Sequence, residues 1–475
     1  MKITMISGRL AGVAAALALA GCANFSGIDP EAKLRESAPP ATASENVAPV
    51  SDHWWTEFGD SRLDALVDEA LRGSPNLGVA RARLRRAQAA ADVLRGADRP
   101  QVNGSFDLTR ERFSENGIFP PPLGGSTVDQ VNLMANFSWE LDFFGKNQAA
   151  LEGAVGASRA AEADIAAARV VLASNVARSY FQLVRVQEQL VVARRTLTQR
   201  EEQLRLVGQR VRAGLDTTLE QRQSEGALPE ARQQIEALDE QAQVTRNALA
   251  ALVGSNDMPS VGDLPTLAKL NTSTAVPALP ADLVARRPDI AAARWRVEAA
   301  SQEVKSSKAE FYPNINLTAF FGLSSLGLDR LLNAGSTQWG VGPAVRLPIF
   351  DAGRLRANLR GKTADLDIAI ESYNGAVIEA FHEAGDALAS LRSLARQQVE
   401  QRQAEAAAEG AYDIAVQRYR AGLGTFLNVL TAENFVLAQR RLGVDLAARV
   451  LDARVALYRA LGGGYTSADP TVAAH

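Results

Sequence analysis

Gln209-Arg210-Val211-Arg212-Ala213-Gly214-Leu215-Asp216-Thr217-Thr218-Leu219 returns 208 positions later as Gln417-Arg418-Tyr419-Arg420-Ala421-Gly422-Leu423-Gly424-Thr425-Phe426-Leu427, with eight identities. Each copy closes a long proline-free run and sets a Gly where a helix C-terminus needs a residue tolerant of the left-handed conformation. A Thr suited to cap a new helix then follows. The pattern predicts two antiparallel helical hairpins with equivalent tips. A period this long marks a duplicated half rather than a solenoid unit.

The duplication reaches outward from the tips. Ser74-Pro75-Asn76-Leu77-Gly78-Val79-Ala80-Arg81 aligns with Arg287-Pro288-Asp289-Ile290-Ala291-Ala292-Ala293-Arg294 at a shift of 213, and Pro100 with Pro313 at the same shift. Gly145 with Gly353 and Gly254 with Gly462 align at 208, so the first copy carries five extra residues between Pro100 and Gly145. Pro75-Asn76 reads as a helix start between the helical spacings of Leu63 to Leu71 and Val79 to Leu94.

Within that interval the hydrophobic period changes from helical to twofold. Val131, Leu133, Ala135, Phe137, Trp139 and Leu141 alternate with Asn132, Met134, Asn136, Ser138 and Glu140, and Val102 to Thr109 alternate likewise. In the second copy Ile315, Leu317, Ala319 and Phe321 form one strand face, and Trp339, Val341, Val345, Leu347 and Ile349 form another. Each run is about ten residues, the length a tilted strand needs to cross an outer membrane. Taken alone, the runs read equally well as two soluble hairpins with one wet face.

Other features weigh on that choice. Lys2 and Arg9 precede a short apolar run, Leu10 to Ala20, which ends in Leu19-Ala20-Gly21-Cys22. Eleven apolar residues are too few for a spanning helix. The arrangement resembles a bacterial lipobox, with cleavage before Cys22 and acylation of that residue. Ala23, rather than Asp, at the next position favours the outer membrane. With no later helix apolar enough to span, a crossing must use a closed β-barrel, and four strands cannot close one. The recurrent aromatics Phe106, Phe113, Phe137, Trp139, Phe320, Phe321 and Trp339 support the barrel reading, and oligomerisation then follows by deduction.

After each pair of strands the chain runs without proline from Lys146 to Val211 and from Arg354 to Tyr419. Val176, Leu183, Leu190, Leu197, Leu204 and Val211 repeat every seven residues, and Leu366, Ile370, Tyr373, Val377, Ala384, Leu388, Leu391 and Ala395 keep related spacings. Each run would extend on the order of 100 Å as a helix. The returning helices, Thr218 to Leu252 and Phe426 to Leu461, cover only about half of that. The short helices before the strands could stack on them to match the length.

Composition agrees with a non-catalytic reading. The 475 residues are 47% apolar and 22% charged, with a net charge of −3 that points to no nucleic-acid partner. The single cysteine excludes an internal disulfide and a CxxC metal site. His53, His382 and His475 lie far apart, and no zinc pair, nucleophile elbow or phosphate-binding Gly loop occurs. No enzyme and no cofactor are expected. His382 reads as an interhelical packing residue, and Trp54-Trp55 as an anchor for the entry loop.

At this point three motifs carry a resemblance: Arg286-Arg287-Pro288-Asp289-Ile290, Leu347-Pro348-Ile349-Phe350-Asp351-Ala352-Gly353-Arg354, and Arg418-Tyr419-Arg420-Ala421-Gly422 followed by Leu427 and Leu430. Together they resemble the TolC-like outer-membrane efflux family, nearest its OprM/NodT-type lipoproteins, from about residue 50 to 462. The resemblance implies a mostly α, duplicated TolC-like fold. Three chains would pool four strands each into a 12-stranded barrel, continued by a periplasmic α-helical barrel. It also implies a gated exit duct for drugs or other small amphiphiles, with a periplasmic adaptor and an inner-membrane pump of the resistance-nodulation-division (RND) type as partners. Type I protein secretion, and a lipid-anchored coiled-coil scaffold without a pore, stand as alternatives.

On this reading residues 1–21 are a signal peptide and 22–50 a lipidated tether. Residues 51–270 form the first repeat, with strands in 101–141 and a helical hairpin in 146–253. Residues 271–462 form the second, with strands in 314–349 and a helical hairpin in 354–461, and 463–475 are a tail. The resemblance places adaptor docking at Arg210, Arg212, Gly214 and Leu215 and at Arg418, Arg420, Gly422 and Leu423. It places a periplasmic gate at Glu220, Tyr419, Asn428 and Thr431, with Glu220 and Tyr419 linking neighbouring coiled coils. Many relatives carry acidic residues where Asn428 and Thr431 stand, so low cation selectivity is expected unless Glu433 or Asp216 substitutes.

Overall fold

The computed structural model describes residues 25–35, 43–44, 50–256, 264–270, 279–280 and 286–466. The expected leader at residues 1–21, Cys22 and His475 lie outside the described residues. A 3-10 turn, Trp54–Phe58, opens the sequence of main elements. Then come α1 (Ser61–Gly73), α2 (Pro75–Ala97), β1 (Gln101–Arg112), β2 (Thr127–Leu141), α3 (Lys146–Arg212) and α4 (Thr218–Val253). The second half repeats that order with α5 (Pro288–Ala309), β3 (Asn314–Leu326), β4 (Thr337–Arg346), α6 (Arg354–Arg420) and α7 (Phe426–Ala460). Both long helices, α3 and α6, contain 67 residues. The glycines paired by the repeat all adopt positive φ: Gly145 and Gly353, Gly214 and Gly422, Gly254 and Gly462. Duplication has preserved the backbone punctuation.

One compact unit comprises residues 1–35, 83–161 and 292–374. Its sheet is antiparallel in the order β1-β2-β3-β4, so β1 and β4 are open edges. The register lines the apolar positions up across all four strands. Phe106, Leu133 and Leu323 share one row, Gly104, Ala135, Phe321 and Trp339 the next, and Val102, Phe137, Ala319 and Val341 the one after. Asn103 and Asn136, Ser105 and Met134, and Asn132 and Ser324 pair on the opposite face. β4 ends at Arg346, earlier than the alternation implies, because Pro348 has no N–H to continue a ladder. Leu347 and Ile349 therefore leave the strand, and Ile349 is exposed.

Helix packing in this unit is close. A Cβ on Gly156 of α3 would lie 3.2 Å from Ala299 of α5, and one on Gly153 would lie 3.3 Å from the Ala299 carbonyl. The N-terminal segment is tied to α6: the Ala32 and Arg35 amides donate to Asp367 and Asn374, at 3.0 and 2.8 Å. Phe25 meets Phe311 edge-on at 5.9 Å, three residues before β3 begins.

The other unit comprises residues 36–82, 162–291 and 375–475. Trp54, Trp55 and Phe58 are buried in a core with Tyr180, Phe181, Leu249 and Val455, and Trp54 stacks on Tyr458 at 5.2 Å. The tandem tryptophans anchor the entry turn. The end of α4 abuts the α1–α2 junction, since a Cβ on Gly254 would stand 2.9 Å from the Gly73 carbonyl and 3.5 Å from Pro75. Gly462, beyond α7, holds the matching place against Arg286 and Arg287.

The Arg-Arg-Pro-Asp motif is a clamp at that second junction. Buried Arg287 binds Asp289 and Glu383, both at 2.7 Å, and donates to the Ala460 carbonyl at 3.3 Å. Of the first helix's heptad positions Val176, Leu183 and Leu190 are fully buried, whereas Leu197, Leu204 and Val211 are only partly so. His382 is exposed rather than packed between helices of its own chain, because Phe381 and Ala384 turn inward beside it.

Candidate functional site

The two tips lie at the ends of α3 and α6. At the first, the Gly214 amide closes onto Val211 and the Leu215 amide onto Arg210; Gly422 and Leu423 do the same onto Tyr419 and Arg418. Leu215 and Leu423 are 64% and 69% exposed, so each tip presents an apolar knob flanked by Arg212 or Arg420. The helices that follow begin differently. Thr217 and Glu220 form a reciprocal capping box at the start of α4. Thr425 holds the cap position of α7 without a side-chain bond, and Asn428 stands where the first tip has the reciprocal Glu.

The capping box fixes where one of the expected gate residues sits within this chain. Glu220 is committed to the Thr217 amide at 2.9 Å and does not pair with Tyr419 in this chain. The Tyr419 hydroxyl instead donates to Asp216, which also receives Arg210 through two nitrogens at 2.9 and 3.3 Å. The Arg210 guanidinium sits 4.6 Å from the Tyr419 ring and donates to the Tyr419 carbonyl at 3.1 Å. A carboxylate, a phenol and an arginine thereby join the α3–α4 tip to the end of α6.

Burial disfavours the Asp216 charge, but the bonds from Arg210 and Tyr419 hold its carboxyl below the ordinary range. Burial, then the bond to Asp216, pushes the Tyr419 phenol well above its usual value. Behind this triad Val207, Tyr412, Tyr419, Phe426 and Val429 pack as a buried cluster.

About three turns farther up α3 from Arg210, Arg200 binds Glu433 of α7 at 3.2 Å. It also binds Glu230 at 2.9 Å and the Ala227 carbonyl at 2.8 Å, beside Pro229 inside α4. Glu433 is 1% exposed, and burial raises its carboxyl despite Arg200. Sequence reading missed Arg200 because nothing local distinguishes it from the many solvated arginines of a long helix. Asn428 and Thr431 are exposed, and neither Glu433 nor Asp216 offers a free carboxylate in their place.

In the sheet-bearing unit, the apolar face is open to the surroundings. Val102, Phe106, Phe321, Trp339, Val341 and Val345 are each more than half exposed in the single chain. No helix among the described residues is long and apolar enough to cross a membrane. Nor does any group of His, Cys, Asp and Glu among them suit a metal ion.

The profile of the outer membrane efflux protein family matches residues 66–255 and 279–463. The chain belongs to that family. The fusaric acid resistance protein FusA of Burkholderia cepacia is 37% identical over 372 residues, covering 75% of this chain and 69% of the relative. The pyoverdine export outer membrane protein OpmQ of Pseudomonas aeruginosa is 34% identical over 419 residues, covering 87% and 88%. The crystal structure of the outer membrane protein VceC of Vibrio cholerae superposes with a TM-score of 0.81 at 34% identity, covering 87% of this chain and 99% of that one. This outer membrane efflux protein thus has the duplicated TolC-like fold and serves as the outer-membrane channel of an efflux pump. Its family is a class of channels rather than of enzymes.

Proposed function

We propose that three copies of this efflux protein pool their sheets into a 12-stranded barrel continued by a helical tube, which forms the passive exit duct of a tripartite pump. The observation that carries this reading is the sheet itself: one face is apolar and exposed in register across four strands, and both edges are unpaired. An exposed apolar sheet with open edges aggregates unless it is paired and placed in lipid. Closure by repetition supplies both, and twelve strands exceed the minimum of about eight for such barrels.

Cys22 is the proposed lipid anchor. Only two residues, Ala23 and Asn24, separate it from Phe25, which docks beside the start of β3, so the anchor lies within about 10 Å of chain from Phe25. The exposed Leu215 and Leu423 with Arg210, Arg212, Arg418, Arg420, Gly214 and Gly422 form two equivalent docking knobs for a periplasmic adaptor. An inner-membrane transporter of the RND type supplies the energy. The gate is the bond of Tyr419 to Asp216, with Asn428 and Thr431 at the aperture and Glu220 holding the start of α4. Relatives named for fusaric acid resistance and pyoverdine export support small molecules as cargo.

The test is purification of the full lipoprotein in detergent. A heat-modifiable trimer that conducts in a planar bilayer is expected. A monodisperse monomer with its strands folded onto its own helices would overturn the reading.

A further inference from the structure

The residues at the tips carry an unbalanced charge. Segments 209–220 and 417–431 contain four arginines and two carboxylates, a net charge of +2, in a chain whose overall charge is −3. Asp216 is already neutralised by Arg210. Arg212 and Arg420 are exposed and make no hydrogen bond or ion pair among the described residues, and Arg418 donates to a neutral carbonyl, that of Leu423, at 3.2 Å. The remaining acid, Glu220, is turned to the first turn of its own helix, where the positive end of the helix dipole offsets it.

Charges one to two turns higher do not reverse this. Arg205 and Asp413 are both exposed and opposite in sign, and Glu433 is buried against Arg200. The exposed positions at the start of α7, Asn428 and Thr431, are uncharged. Arginines in a last helical turn favour the helix end itself. They also cast a field into the adjoining solvent that reaches about 8 Å at physiological salt. Glu201 and Glu202 lie roughly 12 to 20 Å up the helix from the tip by its rise per residue, beyond that range.

We propose that the periplasmic entrance of the duct is electropositive and selects anions, so that the small molecules it favours carry a carboxylate or another negative group. This rests on the duct reading above. In a trimer the tips place a net charge of about +6 around the narrowest opening, where low-dielectric walls concentrate the field. Two charges changed per chain, six around a trimeric opening and screened at about 10 Å, alter ion permeability by roughly two- to fivefold.

The test measures the chloride-to-potassium permeability ratio of the full lipoprotein in a planar bilayer under a potassium chloride gradient. The background is Tyr419→Phe, which loosens the tip without changing its charge. A ratio above one is expected. Arg212→Gln with Arg420→Gln should lower it roughly two- to fivefold, and so should Asn428→Asp with Thr431→Asp, a pair that adds charge at exposed positions and keeps every arginine. Conducting channels that favour potassium in the background, or a ratio unmoved by both double variants, would overturn the proposal and leave the duct standing. Absence of conductance in every variant would overturn the duct reading, and this proposal with it.

Discussion

Removing one oxygen atom at the tip tests whether the Tyr419–Asp216 contact is a latch. In Tyr419→Phe the ring stays in its buried cluster and Arg210 keeps its position over the ring face, so only the hydroxyl donor to Asp216 is lost. A hydrogen bond to a charged acceptor contributes about 1.5–3 kcal/mol. Asp216 retains its two contacts from Arg210, so the lower figure applies. About 1.5 kcal/mol corresponds to roughly a tenfold shift in the opening equilibrium of each chain, and up to about a thousandfold if three chains open together.

Single-channel recording in planar bilayers reads this as open probability. The pH dependence carries an independent sign. The Asp216 carboxyl is held below its ordinary 3.8, so its contribution is present above that value and lost only as pH falls through the lower, folded one. Tyr419 is raised above its ordinary 10.0, so its contribution is present below that value and lost only as pH rises through the higher one. Opening through this latch should therefore be flat between about pH 5 and 9. A Tyr419→Phe channel that opens no more often than the parent, or a parent whose opening titrates steeply near neutrality, would refute the latch.

Other substitutions probe the remaining links. Phe137→Arg places a charge on the apolar sheet face at about 2–4 kcal/mol per chain and should abolish the heat-modifiable trimer, whereas Asn136→Arg, one residue along on the polar face, should preserve it. Gly462→Ala puts a Cβ 1.8 Å from the Arg286 carbonyl at positive φ, and should lower thermal stability far more than Gly214→Ala, which meets nothing within 4 Å and costs about 1–2 kcal/mol of backbone strain. Circular dichroism melts of the two purified variants compare them directly. Cys22→Ser should abolish incorporation of radiolabelled palmitate, and a labelled variant would locate the modification elsewhere.

The sequence alone determined the duplication, the punctuation of its helices and the alternation of its strands. Each is a local property: positive φ demands glycine at Gly214 and Gly422, and a pleated strand shows its two faces at every second residue. The lipobox reading of Cys22 also rests on adjacent residues alone. Strand ends were less legible, since the alternation through Ile349 conceals the ladder's stop before Pro348.

Only the tertiary structure decided which partners the charged side chains take. Asp216 takes the Tyr419 phenol, 203 residues away, because Arg210 holds that carboxylate in place, whereas the capping box of Thr217 and Glu220 is a local feature of adjacent sequence. Arg200 and Glu433, 233 residues apart, meet only once α3 and α7 pack together. Periodicity assigns a residue to a face, whereas an ion pair depends on which faces come together, and that is a property of the folded chain.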